Sequence, residues 1–176
     1  MKRWIRLCLV FAVWLAALPA GADTLHGVVI VVIDGDTVLF KPDHYGDASR
    51  AFLKIRLADI DAPEKNQAYG EAATRALSAL LLNQRVELNT VATDIYGRKI
   101  AHIQMGALQV NAELVRIGFA WAYSRHNSAM KDVQGAARRA RRGLWQDAAP
   151  TPPWAWRRAH TEHANESFDR RGLDLK

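Results

Sequence analysis

The densest chemistry in the chain lies in Ile55-Arg56-Leu57-Ala58-Asp59-Ile60-Asp61-Ala62-Pro63-Glu64. An arginine leaves an alternating apolar stretch, and carboxylates gather directly after it. A hard divalent cation takes several oxygen ligands, which carboxylates and backbone carbonyls can supply. Asp36, in the upstream Asp34-Gly35-Asp36-Thr37 segment, would complete such a site if the two loops met at one end of a sheet. Pro63 restricts the backbone here and could aim the carbonyl before it. Asp34, Asp59 and Asp61 could equally be turn formers, because short acidic side chains bond their own backbone. A second element, Asp94-Ile95-Tyr96-Gly97-Arg98, has the composition of a hairpin turn with one more arginine at its exit. By itself it reads as a turn.

The elements that must carry these residues follow from hydrophobic periodicity. Val28 to Ile33 and Val38 to Phe40 are apolar runs around an Asp-Gly step, which predicts a hairpin. After the polar loop Lys41 to Arg50, Leu53, Ile55 and Leu57 alternate with Lys54 and Arg56, as in a half-buried strand. Ala73, Ala76, Leu77, Leu80 and Leu81 keep helical spacing and predict a helix over Glu71 to Leu82. Strands are expected at Val86 to Leu88, Ile100 to Gln104 and, past Gly106, Leu108 to Val110.

Asn111 has the residue type of an N-cap for a short helix carrying Leu114, Val115 and Ile117, closed by Gly118. Ser128 is the expected cap of a last helix, with Met130, Val133, Ala137 and Ala140 inward and a stop at Gly143. Its outer arginines, Arg138, Arg139, Arg141 and Arg142, fit a solvated face as well as a nucleic-acid contact. About five strands with interspersed helices fit an α+β fold built on a five-stranded Greek-key barrel of the OB type with about three packed helices. Other α+β arrangements stay open on pattern alone.

Residues 148–176 read as a tail. Pro150, Pro152 and Pro153 argue for an extended run rather than a helix. Trp154 and Trp156 suggest that the tail docks in part, whereas Thr161 to Lys176 is polar and expected to be mobile. His160 and His163 lack a third ligand and a metal-binding pattern. No nucleophile elbow and no phosphate-loop glycine pattern occur.

At the other end, Lys2, Arg3 and Arg6 precede the uncharged run Leu7 to Leu18, and Ala20-Gly21-Ala22 has the small-x-small form of a cleavage site. Residues 1–22 therefore read as a signal peptide, too short in its apolar run for the about 20 residues a bilayer span needs. Export to the periplasm or the medium is expected, with no stable membrane association after cleavage. The single cysteine, Cys8, would leave with the leader, which excludes thiol catalysis, thiolate metal sites and disulfides in the remainder. The net charge of +6 falls to +3 without Lys2, Arg3 and Arg6, too little to argue a polyanionic partner.

Together these segments resemble the thermonuclease, or staphylococcal nuclease-like, family. The matching pieces are Ile33-Asp34-Gly35-Asp36-Thr37, Arg56-Leu57 through Asp61-Ala62-Pro63-Glu64, and Tyr96-Gly97-Arg98 with Ile100-Ala101. Val110-Asn111 with Leu114-Val115-Arg116 and Gly118, and Gly143-Leu144-Trp145, continue the match, so that it runs from Thr24 to Trp145. The domain expected from it covers residues 23–147. The resemblance implies an OB-type barrel and a calcium-dependent nuclease acting on DNA, RNA or both with little sequence preference, leaving 3′-phosphates. It implies Asp36, Asp61 and the Ala62 carbonyl as calcium ligands, with alanine where the best-known members carry threonine. It implies Glu64 as the residue that activates or positions water, and Arg56 and Arg98 as the phosphate grip. Tyr96 and Tyr123 are candidate substrate contacts, with Ile95 where some members have a basic residue. A monomer is expected. A catalytically silent OB-type module that binds strands without cutting them is the alternative, and a metal-stabilised structural domain is a third reading.

Overall fold

In the first hairpin, apolar side chains alternate inward from both strands, β1 (Thr24–Val32) and β2 (Thr37–Pro42). The computed structural model describes residues 24–123 and 127–161. The expected signal peptide and residues 162–176 lie outside the described residues. Strands β3 (Leu53–Leu57), β5 (Arg85–Thr93) and β6 (Lys99–Met105) join the hairpin, so that β2 pairs β3, β1 pairs β5 and β5 pairs β6, all antiparallel. A parallel ladder between β3 and β6 then closes the sheet into a five-stranded barrel. Closure removes the open strand edges that would otherwise template aggregation. Short strands complete the chain: β4 (Ile60–Asp61) pairs β8 (Trp121–Ala122), and β7 (Leu108–Gln109) extends β6.

Helix α1 (Gly70–Leu81) buries Ala73, Leu77 and Leu81, the predicted stripe, on the barrel. These side chains meet Val29, Val38, Phe40, Ile55 and Leu57 from the strands and Leu114 and Val115 from α2 (Val110–Arg116). Each valine, leucine, isoleucine or phenylalanine among them, when fully buried, contributes roughly 1.5–3 kcal/mol relative to exposure. Helix α3 (Ser128–Arg139) and the 3-10 turn Gly143–Gln146 form a smaller cluster of Trp121, Ala137, Leu144 and Trp145.

Four local expectations need correction. Asn111 does not cap α2; Gln109 does, its side chain accepting the Ala112 N–H. Asn111 lies within the helix, fully buried, and its amide accepts from the Ile103 N–H and donates to the carbonyls of Ala58 and Ala101. An amide that offers both donors and an acceptor can tie β6 at two points to the turn after β3, a stronger demand than a cap. The cap of α3 is Asn127, which accepts the Met130 N–H, with Ser128 as first helical residue; Ala140 is exposed rather than inward.

The fourth correction bears on the site. The proline-rich segment is not extended throughout: residues 153–161 form a helix, here α4. The Pro152 carbonyl accepts the N–H groups of Ala155 and Trp156, which puts Pro153 at the first helical position. There a missing N–H costs nothing and a fixed φ favours the first turn.

Candidate active site

Register explains why distant motifs meet. In the β2–β3 ladder Thr37 stands opposite Arg56, so Asp36 arrives beside the arginine. In the parallel β3–β6 ladder Arg56 stands opposite Ile100, two residues beyond Arg98. The β4–β8 pairing sets Asp61 opposite Trp121 and so brings Tyr123 to the same end of the barrel. The resulting pocket, about 430 Å³, is lined by Asp36, Arg56, Asp61, Ala62, Glu64, Tyr96, Arg98 and Tyr123, and also by Asp34, Pro63 and Arg157. All eight residues that the resemblance implied as ligands, phosphate grip, water activator or substrate contacts therefore line one cavity, whereas Asp59 does not.

Its floor is a carboxylate pair bridged by a guanidinium. Arg56 donates from Nη1 to Asp36 Oδ1 at 2.6 Å and from Nη2 to Asp61 Oδ1 at 2.8 Å. Asp36 Oδ1 also accepts the Thr37 hydroxyl, and Asp36 Oδ2 accepts the Ala62 N–H at 2.9 Å. The side chains of Asp36 and Asp61 are only 5% and 1% exposed, so their charges have little solvent to share. Burial is the main force that raises the Asp36 pKa to about 7; Arg56 pulls it down, while Asp34 and Asp61 push it up. Desolvation works against the Arg56 charge, but Asp36 and Asp61 outweigh it and raise the arginine pKa further.

Two glycines allow this close packing. A side chain at Gly35 would collide with the methyl groups of Ala62 and Ala73, so glycine lets the hairpin turn lie against both. At Gly70 it would strike the Glu64 carbonyl, where α1 starts directly against the acidic loop. The Glu64 N–H bonds Gln67 Oε1, and the Gln67 N–H bonds the Glu64 carbonyl in return.

Arg98 is aimed by its own turn. Asp94 accepts the backbone N–H groups of Tyr96 and Arg98 through Oδ1, and Arg98 Nε through Oδ2 at 2.7 Å. Desolvation opposes ionisation of Asp94, yet the Arg98 side-chain bond and the two backbone donors hold its pKa below the usual range. The Arg98 guanidinium lies 5.7 Å from the Tyr96 ring centre, and Tyr96 itself is largely exposed. Asp59, the other acid of the motif, serves the frame instead: its carbonyl accepts the Tyr123 N–H and its carboxylate accepts from Asn127.

Sequence reasoning missed Gln67 and Arg157. Gln67 Nε2 donates to the Thr151 carbonyl at 2.6 Å, tying the Glu64 loop to the segment that leads into α4. Arg157 donates from Nη2 to Asp61 Oδ2 at 2.8 Å and from Nη1 to Glu64 Oε1 at 2.6 Å. Hydrogen bonds to Asp61, resisted by partial desolvation and aided by Glu64, raise its pKa further above the ordinary arginine range. The one signal for it in the sequence was its spacing of three residues from Trp154, on the same side of a helix that the prolines argued against.

Barrel and pocket together define an α+β protein of the OB type with an acid–arginine cleft at one barrel end. The sequence model of the family described as staphylococcal nuclease homologue matches residues 54–147. Over 160 residues the chain is 37% identical to an uncharacterized endonuclease of Escherichia coli O157:H7, a match covering 89% of this chain and 98% of the relative. It is 35% identical over 166 residues to the micrococcal nuclease of Shigella flexneri, covering 87% and 91%. A Haemophilus influenzae relative, also named an uncharacterized endonuclease, is 36% identical over 165 residues, covering 93% and 87%. The chain belongs to the staphylococcal nuclease-like family.

Proposed function

We propose that the protein is an exported nuclease that hydrolyses phosphodiester bonds of DNA, RNA or both, with calcium as its cation and 3′-phosphate ends as its product. The observation that carries the reading is the convergence of Asp36, Arg56, Asp61, Glu64 and Arg98, from three separate segments, on one pocket. Nuclease activity also agrees with the names of the relatives.

The donor set suits a hard cation. Among the described residues no group of three or more histidine, cysteine, aspartate and glutamate side chains forms a cage. Two buried carboxylates, Asp36 and Asp61, with the carbonyl that Ala62 could add from the same pocket wall, would instead leave most of the shell to water, which calcium accepts. A cation there would neutralise negative charge on a bound phosphate.

The protein's own groups then have distinct tasks. Arg56 and Arg98 carry planar guanidiniums whose remaining N–H groups can take phosphate oxygens and stabilise charge developing at phosphorus. Glu64, half-buried at the pocket wall, can orient a water and accept its proton. Tyr96 and Tyr123, both largely exposed, offer ring faces and hydroxyls to the strand. A pocket that grips phosphate and leaves bases in solvent favours little sequence preference.

Incubating the purified protein with plasmid DNA and with RNA, in calcium or in chelator, and analysing the ends tests the reading. Cleavage only with calcium, leaving 3′-phosphates, is expected, together with a large fall in kcat and little change in strand affinity for Glu64→Gln. Binding without cleavage by the parent protein would favour the silent OB-type module. Export rests on the pattern of residues 1–22, and intact-mass measurement of protein recovered outside the cytoplasm should give an N-terminus at Asp23.

A further inference from the structure

Among the described residues that line the pocket, Arg157 is the one cation that comes from outside the barrel and its turns. It rides on α4, past the end of the region matched by the family model. Three contacts hold that segment in place. Gln67 bonds the Thr151 carbonyl, the Trp154 ring lies 6.3 Å from that of Trp121, and it lies 5.8 Å from that of Tyr123. Aromatic pairs at these separations each add a modest attraction beyond the area they cover. Docked in this way, α4 delivers its guanidinium to Asp61 and Glu64 at once.

The oxygens it engages are the ones the proposed chemistry needs. Asp61 Oδ2 takes Arg157 Nη2 at 2.8 Å, and Asp61 Oδ1 is shared between Arg56 at 2.8 Å and Arg157 at 3.2 Å. Glu64 Oε1, an oxygen that would accept a proton from water, takes Arg157 at 2.6 Å. A divalent cation and a guanidinium compete for the same oxygens in this poorly solvated floor; Arg56 takes only Oδ1 of Asp61, and Arg157 is the group that covers Oδ2 as well. Cation binding must therefore first break a two-carboxylate contact.

We propose that Arg157 is an internal competitor for the divalent cation at Asp61, so that α4 sets the cation concentration at which the site loads. The inference rests on the reading above that Asp36 and Asp61 hold that cation. A strand phosphate in the pocket offers the displaced guanidinium a bidentate partner of the right charge. Cation and strand then support each other's binding, and such coupling is reciprocal. Arg157 on this account keeps the carboxylates neutralised in the free protein and yields them when a strand arrives.

Calorimetric titration of calcium into the full chain at fixed ionic strength, without nucleic acid, tests this. Three variants are compared with the parent, and thermal melts establish that each is folded. Arg157→Gln should bind calcium more tightly, on the order of tenfold. Trp154→Ala loosens the docking without touching a carboxylate and should tighten binding by a smaller factor. Arg158→Gln removes the same charge from an exposed neighbour on the same helix and should leave the affinity at the parent value. Equal or weaker calcium binding by Arg157→Gln would overturn the proposal, as would equal tightening by Arg158→Gln. If the parent cleaves nucleic acid in calcium while Arg157→Gln fails to tighten, only the competitor role falls. If neither parent nor variants bind calcium and none cleaves, the nuclease reading falls and takes this inference with it.

Discussion

The Asp36 carboxylate accepts the Ala62 N–H at 2.9 Å across 26 residues of sequence, and this bond joins the first hairpin turn to the acidic loop. It holds a buried acid whose pKa stands at about 7, mainly through desolvation. With the folded pKa above the ordinary value of 3.8, the proton binds more tightly to the folded state. Asp36 therefore adds stability at low pH that is lost as pH rises toward 7. A cation needs the ionised form, so protons and calcium compete. Calcium affinity is expected to weaken as pH falls from 8 to 6, and the rise in Tm caused by calcium should be larger at pH 7.5 than at pH 5.5. Equal shifts at the two pH values would contradict this.

Arg56 makes two charge-assisted bonds in a fixed fork, to Asp36 and Asp61. Arg56→Lys keeps the charge and loses the fork. Cleavage should fall by about a hundredfold or more, the typical scale for losing one donor to a transition-state oxyanion. Steady-state rates on a single-stranded oligonucleotide in saturating calcium would measure it.

Arg98 depends on Asp94, which aligns its Nε while holding two backbone N–H groups of the turn. Asp94→Asn can keep the backbone bonds through its amide oxygen but lacks the charge that tethers the guanidinium. The expected result is a lower kcat, about tenfold, with Tm nearly unchanged, since the misplacement affects orientation rather than packing. A large fall in Tm would show that the carboxylate serves the fold and not the arginine.

Asn111 has no part in the pocket and should matter only for stability. Its three bonds link Ile103, Ala58 and Ala101 inside the barrel wall. Asn111→Ala leaves buried backbone groups without partners and should cost about 2–4 kcal/mol. Urea unfolding gives the value, and activity per folded molecule should stay near that of the parent.

Much of the fold was legible because its signals are local. Alternation at Leu53, Ile55 and Leu57 and helical spacing at Ala73, Leu77 and Leu81 hold in one short window each, and the structure places those side chains inward. The misread caps show where local signals end. Asn111 has the type of a capping residue, but nothing near it in sequence shows that β6 and the turn after β3 will offer it partners in the barrel wall.

The candidate site divides in the same way. Residue types and spacing drew attention to Asp36, Arg56, Asp61 and Glu64 but read the Asp94–Arg98 segment as a turn; only the resemblance, carried by several motifs in register, singled out the five together. Tertiary structure alone decided that one guanidinium bridges the two aspartates, since the β2–β3 register sets Asp36 beside Arg56 and the turn from β3 into β4 returns Asp61 to the same guanidinium. It alone decided the place of Arg157, whose neighbours Trp154, Trp156 and Arg158 say nothing about Asp61, 96 residues away. Proline at a helix start and proline in an extended run look alike in sequence. The docking of Trp154 near Trp121 and Tyr123 and the Gln67 bond to Thr151 accompany the helical outcome here, and those partners come from the folded barrel rather than from the segment itself.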